Sequence, residues 1–75
     1  MLKELDAVAL AKDLPDHRLK AGDLGTIVHV YDPAGPYEVE FVRANGWTVA
    51  LIRLDATDIR ALDEMDILNA RRMAS

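Results

Sequence analysis

The sharpest periodicity in the chain is the alternation Tyr37-Glu-Val-Glu-Phe41. It sets Tyr37, Val39 and Phe41 on one face of an extended segment and Glu38 and Glu40 on the other. One apolar face and one carboxylate face predict a half-buried antiparallel strand over residues 37–42, with Tyr37 and Phe41 in the core. Asn45-Gly46 follows, a pair that accepts positive φ at both residues and so predicts a two-residue type I′ hairpin turn. The returning strand covers residues 47–54, with Trp47, Val49 and Leu51 on one face and Thr48, Ala50 and Ile52 on the other. Upstream, residues 24–31 are rich in β-branched side chains and run into Asp32-Pro-Ala-Gly-Pro36, a loop by composition. This predicts a strand whose His29, between Val28 and Val30, turns away from the apolar side.

The first segment, residues 5–11, alternates Val8 and Leu10 with alanines, which suits a short strand. A helix is the competing reading, because Ala and Leu are strong helix formers. Pro15 ends either element, and residues 17–23 read as a polar connection. Residues 55–58 form a turn and residues 59–62 a short final strand. Asp63 to Met73 reads as a polar tail or a marginal helical turn. A flat five-stranded sheet of this size leaves one apolar face wet and two edges open. The expected fold is therefore all-β, a small SH3-like five-stranded antiparallel barrel, with Gly22 and Gly25 supplying a bend or bulge. One domain spans residues 1–68, and residues 69–75 form a C-terminal tail that need not be ordered.

Composition narrows the function more than it names it. A 75-residue chain buries only about 60% of the surface it exposes when unfolded, so its core is small. With no Cys there are no disulfides, thiolate nucleophiles or Cys-based zinc sites. Thirteen acidic against nine basic side chains leave a net charge of -4, which works against nucleic acid and anionic membranes as partners. No apolar stretch follows Lys3 as in a signal peptide, and no run approaches the roughly 18 apolar residues of a transmembrane helix. A cytoplasmic protein is expected.

Candidate chemistry is sparse. Glu38 and Glu40 project to the same side and resemble an acid/base pair, but a solvated strand face looks the same, and so small a domain offers little burial to raise one pKa. His17 lies near Asp13 and Asp16 without a metal-ligand spacing. Gly22-Asp-Leu-Gly25 has the spacing of a backbone-gripping loop, yet carries Asp23 where a basic residue is wanted. The expectation is a non-enzyme with no cofactor and no metal. Tyr31 and Trp47 are aromatic anchors available to a partner. Glu38, Glu40, Asp55 and Asp58 belong to the acidic surface that a basic partner protein would meet. The nine basic residues are spread along the chain, so a basic patch has to be assembled by folding.

Several pieces taken in order carry a resemblance: Leu5-Asp-Ala-Val-Ala-Leu, Asp13-Leu-Pro, Leu19-Lys-Ala-Gly-Asp-Leu-Gly-Thr-Ile-Val and Tyr37-Glu-Val-Glu-Phe. Over residues 2–68 the chain resembles a small bacterial family known as domain-of-unknown-function family 4926. The Gly-x-x-Gly-x-Val strand entry is also similar to SH3-like domains, including KOW-type modules and the nitrile hydratase β subunit. The resemblance implies an SH3-like barrel and assigns no catalytic residue. Some members look like the antitoxin half of a toxin–antitoxin pair. The leading expectation is a non-catalytic protein-binding module, antitoxin-like or an accessory subunit of a neighbouring gene product, with a homodimer as a further option. The alternatives are a KOW-like nucleic-acid module and an accessory domain like the nitrile hydratase β subunit.

Overall fold

A computed structural model describes residues 2–73. The strands are β1 (Ala7–Leu10), β2 (Leu24–Val30), β3 (Tyr37–Val42), β4 (Thr48–Leu54) and β5 (Ile59–Ala61). They form one antiparallel sheet in the order β4-β3-β2-β1-β5. The chain is all-β apart from single turns of 3-10 helix at Pro15–His17 and Ala56–Asp58. Among the described residues no helix is long and apolar enough to cross a membrane.

Register explains the core. Val39 faces Ile27 on one side and Ile52 on the other, while Tyr37 lies between Val30 and Leu54. On β1, Val8 pairs with Gly25 and Leu10 with Ile59. The inward set Val8, Leu10, Ile27, Tyr37, Val39, Phe41, Leu54 and Ile59 is buried, as the alternation of β3 requires. Tyr37 keeps its hydroxyl satisfied by donating to the Pro33 carbonyl at 2.8 Å.

The expected strand over residues 5–11 is shorter at both ends. Leu5 takes φ 74° in the turn before β1 and is 81% exposed. The polar connection holds a core residue as well. Leu14 and Leu19 exchange backbone hydrogen bonds of 2.8 and 3.1 Å across the Pro15–His17 turn. That pairing plants Leu19 in the core, and Asp13 ties the far side by accepting from the Ala21 amide at 2.8 Å.

The β3–β4 turn differs from the type I′ expectation. The Gly46 amide donates to the Arg43 carbonyl and the Arg43 amide to the Trp47 carbonyl, both at 2.9 Å. Only Gly46 has positive φ, at 89°. Three residues therefore close the hairpin as a type I turn followed by a glycine bulge. Asn45 serves through its side chain, accepting from the Trp47 amide at 2.9 Å. Trp47 falls outside β4 as a result.

Gly22 has the left-handed backbone expected of a turn, φ 93°. Gly25 is there for space. A Cβ on Gly25 would lie 2.7 Å from Val39 Cγ1, 2.8 Å from Phe41 Cε1 and 3.1 Å from the Glu40 carbonyl oxygen. The break in β2 falls between Ile27 and His29, where a bulge leaves Val28 unpaired and both Val28 and His29 exposed.

Candidate functional site

Two regions gather the exposed side chains that chemistry or recognition would use. The first is the outward face of β2, β3 and β4. Bulged β2 brings His29 opposite Glu38, and the segment just after it carries Tyr31. The Tyr31 hydroxyl donates to Glu38 Oε1 at 2.7 Å, and the Arg53 guanidinium lies 4.4 Å from the centre of the Tyr31 ring. His29 meets Tyr31 edge-on at 4.6 Å. One residue pair along, Thr48 donates to Glu40 Oε2 at 2.9 Å, and Leu51 lies opposite Glu40 with 56% of its surface exposed. Tyr31, Glu38 and Glu40 thus share one face. Each carboxylate is held by a neutral hydroxyl, with Arg53 nearby as counter-charge.

Asp55 and Asp58 lie elsewhere, in the turn between β4 and β5, and cap it reciprocally. The Asp58 carboxylate accepts from the Asp55 amide at 3.0 Å, and the Asp58 amide donates to the Asp55 carbonyl at 2.9 Å. Lys12 reaches Asp58 at 2.8 Å. The Lys12 hydrogen bond, with the Asp55 amide, holds the Asp58 carboxyl below the usual range. These carboxylates secure the start of β5.

The second region surrounds Trp47, 67% exposed at the end of the β3–β4 hairpin. A groove of about 440 Å³ has Leu24, Phe41, Val42 and Val49 in its lining, with Arg43 and Arg72 among its polar members. A smaller hollow of about 300 Å³ adjoins it through Arg43, Val49 and Met73, and takes in His17, Arg18 and Trp47. The segment 69–73 lines one side of the groove. Of the tail expected over residues 69–75, Ala74 and Ser75 lie outside the described residues. Within 69–73, Arg71 grips Asp23 with Nε and Nη2 at 2.8 and 2.6 Å, and Nη2 also donates to the Arg18 carbonyl at 2.9 Å. Partial burial pushes the Asp23 carboxyl up. The Arg71 hydrogen bonds and the Lys20 amide outweigh it, so the group ends below its ordinary pKa.

Arg18, Arg43, Arg71 and Arg72 therefore converge on one end of the molecule. In the sequence only the pair Arg71-Arg72 hints at this. The Arg71 contacts reach back 48 and 53 positions, beyond the range of any local signal. Near His17 in sequence, Asp13 accepts from the Ala21 amide at 2.8 Å. Among the described residues no three His, Asp or Glu side chains gather as a metal site.

No curated protein and no solved structure gave a significant match to the chain. A family model does match, over residues 4–61, from the turn before β1 to the last residue of β5. All five strands lie within it, so the chain belongs to the family described as Domain of unknown function (DUF4926).

Proposed function

We propose that the domain is a non-catalytic protein-binding module of the cytoplasm, an antitoxin-like or accessory subunit of a neighbouring gene product. Its sheet is read as an SH3-like barrel, in which the β2 bulge and the glycine bulge after β3 bend the strands around the inward face. The observation that carries the binding role is the apolar surface left outside the core. Trp47, Val42 and Leu51, all on the β3–β4 hairpin, are each more than half exposed. Exposed aromatic and aliphatic groups rimmed by charge mark interaction surfaces on small soluble domains. Tyr31, Glu38 and Glu40 extend that surface along the outer sheet face, and Asp55 and Asp58 add acidic charge at its far end. Expression from the native gene cluster with a tag on this chain is expected to recover a stoichiometric partner. Recovery of the free 8.3 kDa chain alone refutes the reading.

A KOW-like nucleic-acid module is the second reading, favoured by the arginines that folding brings to Trp47. It predicts retention on RNA or DNA at low salt, declining as salt rises. The net charge of -4 works against it.

A further inference from the structure

We infer that the Trp47 end of the domain docks an acidic segment of a partner protein: an apolar side chain enters the groove floored by Val42 and Val49, and its flanking carboxylates meet Arg18, Arg43 and Arg72. This rests on the protein-binding reading and fixes the chemistry of the partner, opposite in sign to what the whole-chain charge suggests.

Charge complementarity is the first ground. The chain carries an excess of carboxylates, yet four of its nine basic residues border the two adjoining hollows. Arg71 is spent on Asp23. Among the described residues, Arg18, Arg43 and Arg72 have no carboxylate within ion-pair distance, and all three are exposed. A guanidinium makes its strongest contacts with carboxylates in a bidentate fork. The same lip of the groove already holds one such fork, Arg71 on Asp23.

The apolar floor is the second ground. Leu24 and Val42 are 38% and 52% exposed beside the buried Phe41, and Trp47 stands at the mouth of the adjoining hollow. An aliphatic or aromatic side chain entering there removes apolar surface from water on both partners. Three free arginines give a polyphosphate few contacts, and the acidic remainder of the domain repels a long polyanion. A short acidic peptide with one apolar anchor satisfies floor and rim together.

The test is an NMR titration of the ¹⁵N-labelled full chain with three probes. They are a short synthetic peptide with one Phe between Glu pairs, the same peptide with Lys for Glu, and oligouridine. The acidic peptide is expected to shift the Trp47 indole N–H and the Arg43 and Val49 amides in a saturable way. The double variant Arg18→Ala/Arg43→Ala, which removes exposed side chains and keeps the fold, is expected to weaken it about tenfold. No saturable shift up to about 1 mM overturns the inference. Saturable binding of oligouridine at these residues, with the acidic peptide inert, overturns it in favour of nucleic acid. Binding of the basic peptide at Glu38 and Glu40 instead overturns the groove assignment and leaves the protein-binding role standing. Only failure to recover a native partner removes that role.

Discussion

Substituting Gly25 by Ala adds a single methyl group and isolates one cause. Gly25 does not have positive φ, so the backbone accepts an L side chain without conformational strain. Removing a glycine also stabilises through the unfolded chain, by about 0.4–1 kcal/mol where the site accepts it. Against this stands the missing space. The new Cβ lies 2.7 Å from Val39 Cγ1 and 2.8 Å from Phe41 Cε1, both on side chains at most 2% exposed. The third neighbour, the Glu40 carbonyl oxygen at 3.1 Å, belongs to the β3 backbone, paired on both sides. Neither side chain can swing into solvent, so β1, β2 and β3 must part or the core must repack. Overpacking of this kind costs about 1–3 kcal/mol, which exceeds the entropic gain. A net loss of about 1–2 kcal/mol lowers the Tm of a domain this size by roughly 4–16 °C. Thermal and urea unfolding followed by circular dichroism measures it. Val39→Ala in the same chain relieves the 2.7 Å contact, so the double variant should lose less than the sum of the singles. A Gly25→Ala protein as stable as the parent, or more so, refutes the reasoning.

Other outcomes follow from the same contacts. Because Asp23 has a lowered pKa in the folded chain, its pairing with Arg71 stabilises above the unfolded pKa near 3.9 and is lost as pH falls through the lower folded value. The stability read by urea unfolding should therefore fall below about pH 4, and Arg71→Ala should lower it at neutral pH and flatten that fall. Asp58→Ala removes the acceptor for the Asp55 amide and the partner of Lys12, and is expected to cost about 1 kcal/mol by urea unfolding; Lys12→Ala should cost less, and its effect should shrink in high salt. Trp47→Ala should change stability by no more than about 0.5 kcal/mol while abolishing partner recovery, whereas Phe41→Ala should cost about 3–5 kcal/mol and unfold the domain.

The sheet was legible in the sequence wherever one face is apolar and the other polar. Residues 37–42 became β3 with the same bounds, and Tyr37 and Phe41 are 2% exposed. β2 and β4 each came within one residue, because β-branched content and the Asn-Gly turn bracket them. The turn type was misread because Asn45 acts through its side chain, and residue preference alone does not separate that from positive φ. Leu19 was lost in a polar stretch, since its burial depends on the Leu14 pairing and not on a period. At the candidate site, Glu38 and Glu40 were legible as neighbours from strand alternation, whereas Tyr31 joins them only through the bulged β2–β3 register. The arginine-lined end was not, because Arg18, Arg43 and Arg71 meet only after β1, the hairpin and the segment beyond β5 have packed.

The position of β1 bears on how this chain is made. First in sequence, β1 is next to last in the sheet, between β2 and β5. Every other pairing joins neighbours in the chain, while Leu10 must wait for Ile59. On a ribosome, β1 to β4 can associate as hairpins as they emerge, but one edge of β1, with Val8, Ala9 and Leu10, stays uncovered until most of the chain has left the tunnel. That late closure joins strands about 50 residues apart, the longest separation of any strand pair in the sheet, and is the slowest to form by loop entropy. A nascent or truncated chain ending before Ile59 presents a raw, apolar strand edge to whatever is nearby. The three residues of β5 thereby govern whether β1 is safe from aggregation.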